Sequence, residues 1–162
     1  RHISRAGIRE GGMSTQIHIV QATLEHVDSI APLFDGYRQF YGQAPDLEAA
    51  RTFIHDRLAQ AQAVIFLALR QNVACGFTQL YPSFSSVSMR NVWVLHDLFV
   101  SPAARGLGVA TSFMQAATSF AKESGAARMT LATAMDNAPA QALYDKLGWK
   151  RDETFVHFLY KV

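Results

Sequence analysis

The segment Arg105-Gly106-Leu107-Gly108-Val109-Ala110 carries the most readable chemistry in this chain of 162 residues. Before it, Val92, Trp93, Val94, Leu95, Leu98, Phe99 and Val100 have the β-branched, aromatic and aliphatic side chains of a strand. After it, Val109, Phe113, Ala116 and Phe120 recur at helical spacing. A glycine-bearing loop between a strand and a helix N-terminus turns several backbone N–H groups toward one spot. Such a spot binds phosphate or pyrophosphate, and glycine is needed where a Cβ would block the anion. The loop is not a Walker motif, because it has no lysine. Nor is it a dinucleotide fingerprint, because Thr111 stands where the third small residue belongs.

Other reactive residue types group less well. His18, His26, His55 and His157 show no metal-ligand spacing and there is no His-Glu-x-x-His, so a metal is not expected. Cys75 lies between Ala74 and Gly76 in an apolar stretch and reads as a small core residue without a partner base. No serine sits in Gly-x-Ser-x-Gly.

The elements that must position the loop follow from periodicity. A first strand is predicted at 16–22. Thr23 can cap a first helix whose apolar face is Val27, Ile30, Phe34, Tyr37 and Tyr41. Pro32 falls inside it, which predicts a kink or two shorter helices. Asp46 can cap a second helix carrying Leu47, Ala50, Ile54 and Leu58. Strands at 62–70 and 73–81 flank a tight turn at Gln71-Asn72, and 81–86 reads as a loop. The motif strand runs from 91 to 100 and its helix from 107 to 125, closed by Gly125. A strand at 128–133 follows, then a short helix capped by Asn137 and ended by Gly148. One or two last strands, which would include His157, are expected between Trp149 and Val162.

Asn137-Ala138-Pro139-Ala140-Gln141-Ala142-Leu143-Tyr144 forms a second constellation. Seven residues are about two helical turns, so Asn137 and Tyr144 share one helix face, about 10 Å apart. Asn137 suits an N-cap as well as a ligand contact. Tyr144 beside Leu143 and Leu147 could also be a core residue.

Arg105, Gly108 and Ala110 fill the Arg/Gln-x-x-Gly-x-Gly/Ala signature, and Asn137 to Trp149 is similar to an Asn-x-x-Ala-x-x-x-Tyr-x-x-x-Gly-aromatic segment. Both resemble the GNAT superfamily of N-acetyltransferases, as does the element order. The resemblance spans about residues 16–162 and is sharpest from 92 to 150. It implies an α/β (α+β) GNAT fold with a mixed, mostly antiparallel sheet of six to seven strands and about four helices. It also implies acetyl-CoA as co-substrate, with Leu98, Phe99, Val100, Arg105, Gly106, Leu107, Gly108, Val109, Ala110, Asn137 and Tyr144 on the CoA arm. A backbone N–H of Leu98 or Phe99 would support the thioester carbonyl, and the Tyr144 hydroxyl would protonate the departing thiolate.

Acetyl transfer needs a neutral amine, and an alkyl ammonium with a pKa near 10.4 is about one part in 10³ neutral at pH 7. His96 and Asp97 are the residues placed to act as base. Neighbouring strand residues point to opposite faces, but the strand carries a β-bulge in this superfamily, which re-aims a side chain. Its polyamine acetyltransferases have glutamate where His96 aligns. His96 is therefore read as a base or as a hydrogen-bonded strand histidine, and Asp97 as a base, a loop anchor or a site for a substrate ammonium. Tyr37, Tyr41, Tyr81 and Phe84 are the candidate walls for the acceptor, since aromatic rings with scattered acids suit a small organic cation. The segments around Tyr81, Asp97 and Trp149 look like the yeast subgroup that acetylates polyamines, D-amino acids and histone lysines.

Bulk properties agree with one globular domain. Hydrophobic residues, Met and Cys included, make up 49% of the chain and charged residues 17%. Residues 1–12 read as a tag or loose extension before Met13, leaving a domain at 13–162. Arg1, Arg5 and Arg9 against Glu10 account for the whole formal charge of +2, so nucleic acid is not an expected partner. The longest apolar run, Ala63 to Leu69, is too short for a membrane span. A single cysteine suits a reducing cytoplasm. The expected activity is acetyl transfer from acetyl-CoA to a primary amine of a small molecule, polyamine or amino-acid-like, in a ternary complex and in a homodimer. The alternatives are a protein or peptide acetyltransferase and a CoA-binding module without catalysis.

Overall fold

A computed structural model describes residues 16–162. The reading of 1–12 as an extension lies outside the described residues. The elements run β1 (Ile17–Gln21), a 3₁₀ turn (Leu24–His26), α1 (Val27–Phe40), α2 (Leu47–Ala59), β2 (Val64–Arg70), β3 (Val73–Ser85) and β4 (Arg90–Val100). A second 3₁₀ turn (Pro102–Ala104), α3 (Val109–Glu123), β5 (Met129–Leu131) and α4 (Ala138–Lys146) complete the order. The strands form one sheet in sequence order, β1 to β5, with β1 to β4 antiparallel. The chain groups into two compact units, one ending at Thr130 and the other Leu131–Val162.

Period-two alternation in β3 decides which helix covers which face. Phe77 is buried in a cluster with Ile30 and Phe34 of α1, Ala50 and Ile54 of α2, and Ile65 and Leu67 of β2. Gly76 points the other way, toward α3. A Cβ there would stand 2.8 Å from the Phe99 carbonyl oxygen and 3.2 Å from the Phe113 ring, so no side chain fits where α3 seats on the sheet. Phe120 of α3 packs edge-on to Phe66 and Trp93 on this second face. Asp35 is buried and ties α1 to the start of α2. It accepts from Arg38, from Gln39 and from the Asp46 backbone N–H, at 3.0, 3.2 and 3.0 Å. Arg51 to Asp28, at 2.7 Å, joins the same two helices.

Several sequence-based expectations change. α1 is one unbroken helix despite Pro32, because Val27, Ile30, Ala31 and Phe34 bury its face and tertiary packing carries it past the lost bond. Residues 81–85 are strand, not loop: Tyr81 to Ser85 pair with Val94 to Arg90. β2 ends opposite Leu80, so β3 has a free edge beyond that point, where Pro82 forfeits no ladder bond. The sheet has five strands among the described residues instead of six or seven. No strand forms between 149 and 162, where His157 was expected in one. Phe155, Val156, Phe158, Leu159 and Tyr160 have strand-forming side chains but are exposed, and the segment has no ladder partner among the described residues. The Gln71-Asn72 turn is as expected, with both residues at positive φ, +52° and +62°.

Candidate active site

The first unit presents two chemically distinct places along β4. At its C-terminal end, the loop leads into α3 with Gly108 as N-cap at φ +79° and no side chain capping the helix. The first-turn N–H groups of a 15-residue helix therefore face outward at the positive end of its dipole. No acidic residue occupies that turn. Gly106 also has φ +79°, and a Cβ on either glycine would meet nothing within 4 Å. Val100, Ala104, Arg105, Gly106, Gly108 and Val109 are among the residues lining a cavity of about 160 Å³ there. Ala110 lines it as well, while Leu107 is exposed. The Arg105 side chain turns back, Nε donating to the Val100 carbonyl at 3.1 Å, and staples the loop to the strand. Donors without acceptors around an open concavity suit a pyrophosphate.

A second cavity of about 430 Å³ adjoins this one at Ala104 and contains Arg70, Cys75 and Ser101. Burial raises the Cys75 thiol above its ordinary value, against the charge of Arg70. Ser101 Oγ donates to the Cys75 carbonyl at 2.9 Å. Neither residue has an activating base.

The other place lies in the middle of β4. Gln79 pairs with Asp97 and Leu80 with Leu95, so His96 is one residue too many on β4. The bulge puts both His96 and Asp97 toward the face covered by α1. Asp97 is 6% exposed, whereas the His96 side chain is 59% exposed. Each Asp97 oxygen has its own partner: Gln79 Nε2 donates to Oδ2 at 2.8 Å, and His96 Nδ1 lies 3.2 Å from Oδ1. The Tyr81 ring stands 5.1 Å from the His96 ring. Thr78 Oγ1 donates to the Asp97 carbonyl at 2.8 Å and pins the backbone just after the bulge.

Aromatic rings surround the carboxylate. Tyr37 lies 5.0 Å from Tyr41, 5.9 Å from Phe77 and 6.4 Å from Phe99, centroid to centroid. Burial lifts the Tyr37 phenol far above its ordinary value, and the charge and hydrogen-bonding oxygen of Asp97 lift it further. Tyr81 is pushed up to about 12, by burial first and then by Asp97, with Arg57 and Gln79 acting the other way. Both phenols thus stay neutral donors well above physiological pH. Tyr41 is 60% exposed at the rim. Phe84 is 79% exposed and paired with Asn91, five strand residues from Gln79, so the structure does not bring it into this group.

Two residues here escape a reading of the sequence. Gln79 is fully buried, but only the β3–β4 register reveals what it faces. Its signal in the sequence is a lone amide at an alternate position between Phe77 and Tyr81. Arg57 looks like a solvated helix charge. In the structure its guanidinium carbon sits 4.6 Å from the Phe53 ring centroid and its Nε is buried with no partner. Phe53 stacks on Phe34, and Phe34 on Tyr37.

The second unit holds the other constellation. Asn137 caps α4, its side chain accepting from the Ala140 N–H at 3.3 Å. Tyr144, two turns on, lies 6.3 Å from the Trp149 ring. Gln141 Nε2 donates to the Ala134 and Met135 carbonyls, both at 3.0 Å, and receives Arg151 on its oxygen.

An uncapped helix end beside positive-φ glycines and an exposed imidazole on a buried carboxylate together suit transfer of an acyl group from a CoA thioester. The Acetyltransferase (GNAT) family pattern matches residues 29–149, and the chain belongs to that family. It is an acyl-CoA-dependent N-acetyltransferase. An uncharacterized N-acetyltransferase, YhfO of Bacillus subtilis, is 43% identical over 90% of this chain and 98% of its own length. The crystal structure of a probable acetyltransferase is 44% identical with a TM-score of 0.86, over 90% of this chain and 97% of its own. The aminoglycoside N-acetyltransferase AAC(6')-Iy, solved with CoA, shares the fold at a TM-score of 0.75 and 20% identity, over 92% and 97%. Among the described residues no helix is long and apolar enough to cross a membrane, and no three metal-ligating side chains converge.

A side chain at Gly108 would project into open space, so its main cost to folding is positive-φ strain of about 1–3 kcal/mol. Gly108→Leu is expected to stay folded and to weaken acetyl-CoA binding at least tenfold, measured by calorimetric titration.

Proposed function

We propose that the chain transfers the acetyl group of acetyl-CoA to the primary amine of a small molecule by direct attack in a ternary complex. The observation that carries this reading is the exposed His96 imidazole hydrogen-bonded to the buried Asp97 carboxylate, beside Tyr81 and below the Tyr37 ring wall. Asp97 Oδ1 accepts the Nδ1–H of His96, which leaves Nε2 as the free acceptor. His96 Nε2 takes the proton of the incoming ammonium, and Asp97 balances the charge gained by the imidazole. The loop at Arg105 to Ala110 and the first-turn N–H groups of α3 would hold the pyrophosphate. When bound, acetyl-CoA supplies its acetyl group as a thioester, the C–N bond forming as the C–S bond breaks. Tyr144 donates its phenolic proton to the sulfur and recovers one from the nitrogen of the new amide, a role supported by its place seven residues after Asn137 on α4.

Of the acceptor classes considered, an amino-acid-like amine is the better match. Tyr81 feels a carboxylate, Asp97, and a guanidinium, Arg57, with opposite effects. An acceptor carrying both an ammonium and a carboxylate finds complementary charge for each group, and Arg57 Nε lacks a partner. A polyamine would meet Arg57 as a like charge. We also propose a homodimer, supported by the exposed apolar run from Phe155 to Tyr160.

The experiment is a turnover panel with acetyl-CoA against amino acids, linear polyamines and lysine-containing peptides. Amino-acid-like amines are expected to give the highest kcat/KM, and the reading is wrong if only peptides turn over. Tyr144→Phe is expected to lower kcat at least tenfold with acetyl-CoA affinity nearly unchanged; an unaltered kcat would remove Tyr144 from the chemistry.

A further inference from the structure

Gln79 is fully buried in β3, directly opposite Asp97 across the bulge. Its Nε2 donates to Asp97 Oδ2 at 2.8 Å, while its Oε1 is buried without a hydrogen-bond partner among the described residues. An orphaned buried acceptor costs stability, and an apolar side chain of the same shape would avoid that cost. What the amide provides in exchange is a donor at one defined oxygen of a buried carboxylate. With Oδ2 held by Gln79, the carboxylate cannot rotate about its Cβ–Cγ bond without breaking a charge-assisted hydrogen bond. Oδ1 is thereby kept toward His96 Nδ1, 3.2 Å away.

We propose that Gln79 is a positioning residue of the transfer reaction. By locking the Asp97 carboxylate, it holds His96 in the tautomer protonated on Nδ1 with Nε2 bare toward the acceptor amine. The tautomer of an imidazole is set by the bond its other nitrogen makes. Here that bond is set one residue further back, on the neighbouring strand. The bulge makes the arrangement possible: it puts an extra residue beside Asp97 so that base, carboxylate and amide are hydrogen-bonded in series across two strands. Gln79 and His96 both hydrogen-bond the Asp97 side chain, and Gln79 is the one on the neighbouring strand.

This inference rests on the reading of His96 as base, and a double-mutant cycle separates the two. Gln79→Met keeps the length and apolar packing of the side chain and removes the donor. It is expected to lower kcat about tenfold or more, since small misplacements of a catalytic group are costly. KM for acetyl-CoA should stay within about twofold, because Gln79 is not among the residues of the CoA loop and its cavity beyond the C-terminal end of β4. In a His96→Ala background the same change should lower kcat no further. If His96→Ala alone leaves kcat intact, His96 is not the base. If His96→Ala lowers kcat and Gln79→Met lowers it equally in both backgrounds, the base stands and the role of Gln79 falls. A second readout needs no variant: nitrogen NMR of the wild-type chain labelled at histidine should show His96 protonated on Nδ1 in its neutral form. The Nε2-protonated tautomer would overturn the proposal.

Discussion

A carboxylate inside a sheet must be held on both oxygens, and Asp97 imposes that demand on its surroundings. Burying an unpaired charge is among the most costly things a fold can do. Asp97 meets the demand with an amide from the facing strand and an imidazole from its own strand. Each partner depends on a different structural device. Gln79 arrives through antiparallel register and His96 through the bulge. The wall of rings around Tyr37 keeps water away from the carboxylate and strengthens each of these bonds.

The same strand carries both places on which the proposed reaction rests. β4 carries the bulge in its middle and runs into the anion-binding loop at its end, with Arg105 folded back on Val100 to fix the junction. Gly76 lets α3 close against the sheet, which sets the direction of the uncapped helix N-terminus. In the proposed reaction, this strand joins the loop that would hold the acyl donor to the residue that would act as base. Precision comes from the sheet, and the loop supplies only backbone donors.

The loop was legible in the sequence because its chemistry is local: glycines, a preceding strand and a following helix lie within twenty residues. The pairing of His96 with Asp97 needs a bulge, since adjacency in a strand normally separates side chains onto opposite faces, and it was the family resemblance that implied one. Only the register mismatch between Leu80–Leu95 and Gln79–Asp97 puts them together. Gln79 was hard to read because its partner Asp97 is remote in sequence, and Arg57 because the burial of its Nε depends on tertiary packing. The loop expected at 81–86 turned out to be strand because Pro82 sits where β2 has already ended, which the residue pattern does not reveal. The last strands were expected from β-forming side chains alone, and side chains without a hydrogen-bonded neighbour do not make a strand.

Asp97→Asn isolates the central interaction, since it keeps shape and burial while removing the charge and one acceptor. The most direct measurement is steady-state turnover of this variant with acetyl-CoA and the best acceptor amine. A fall in kcat of about 100-fold with KM for acetyl-CoA within twofold is expected if Asp97 orients and balances the base. A kcat within twofold of the unmodified chain would contradict it.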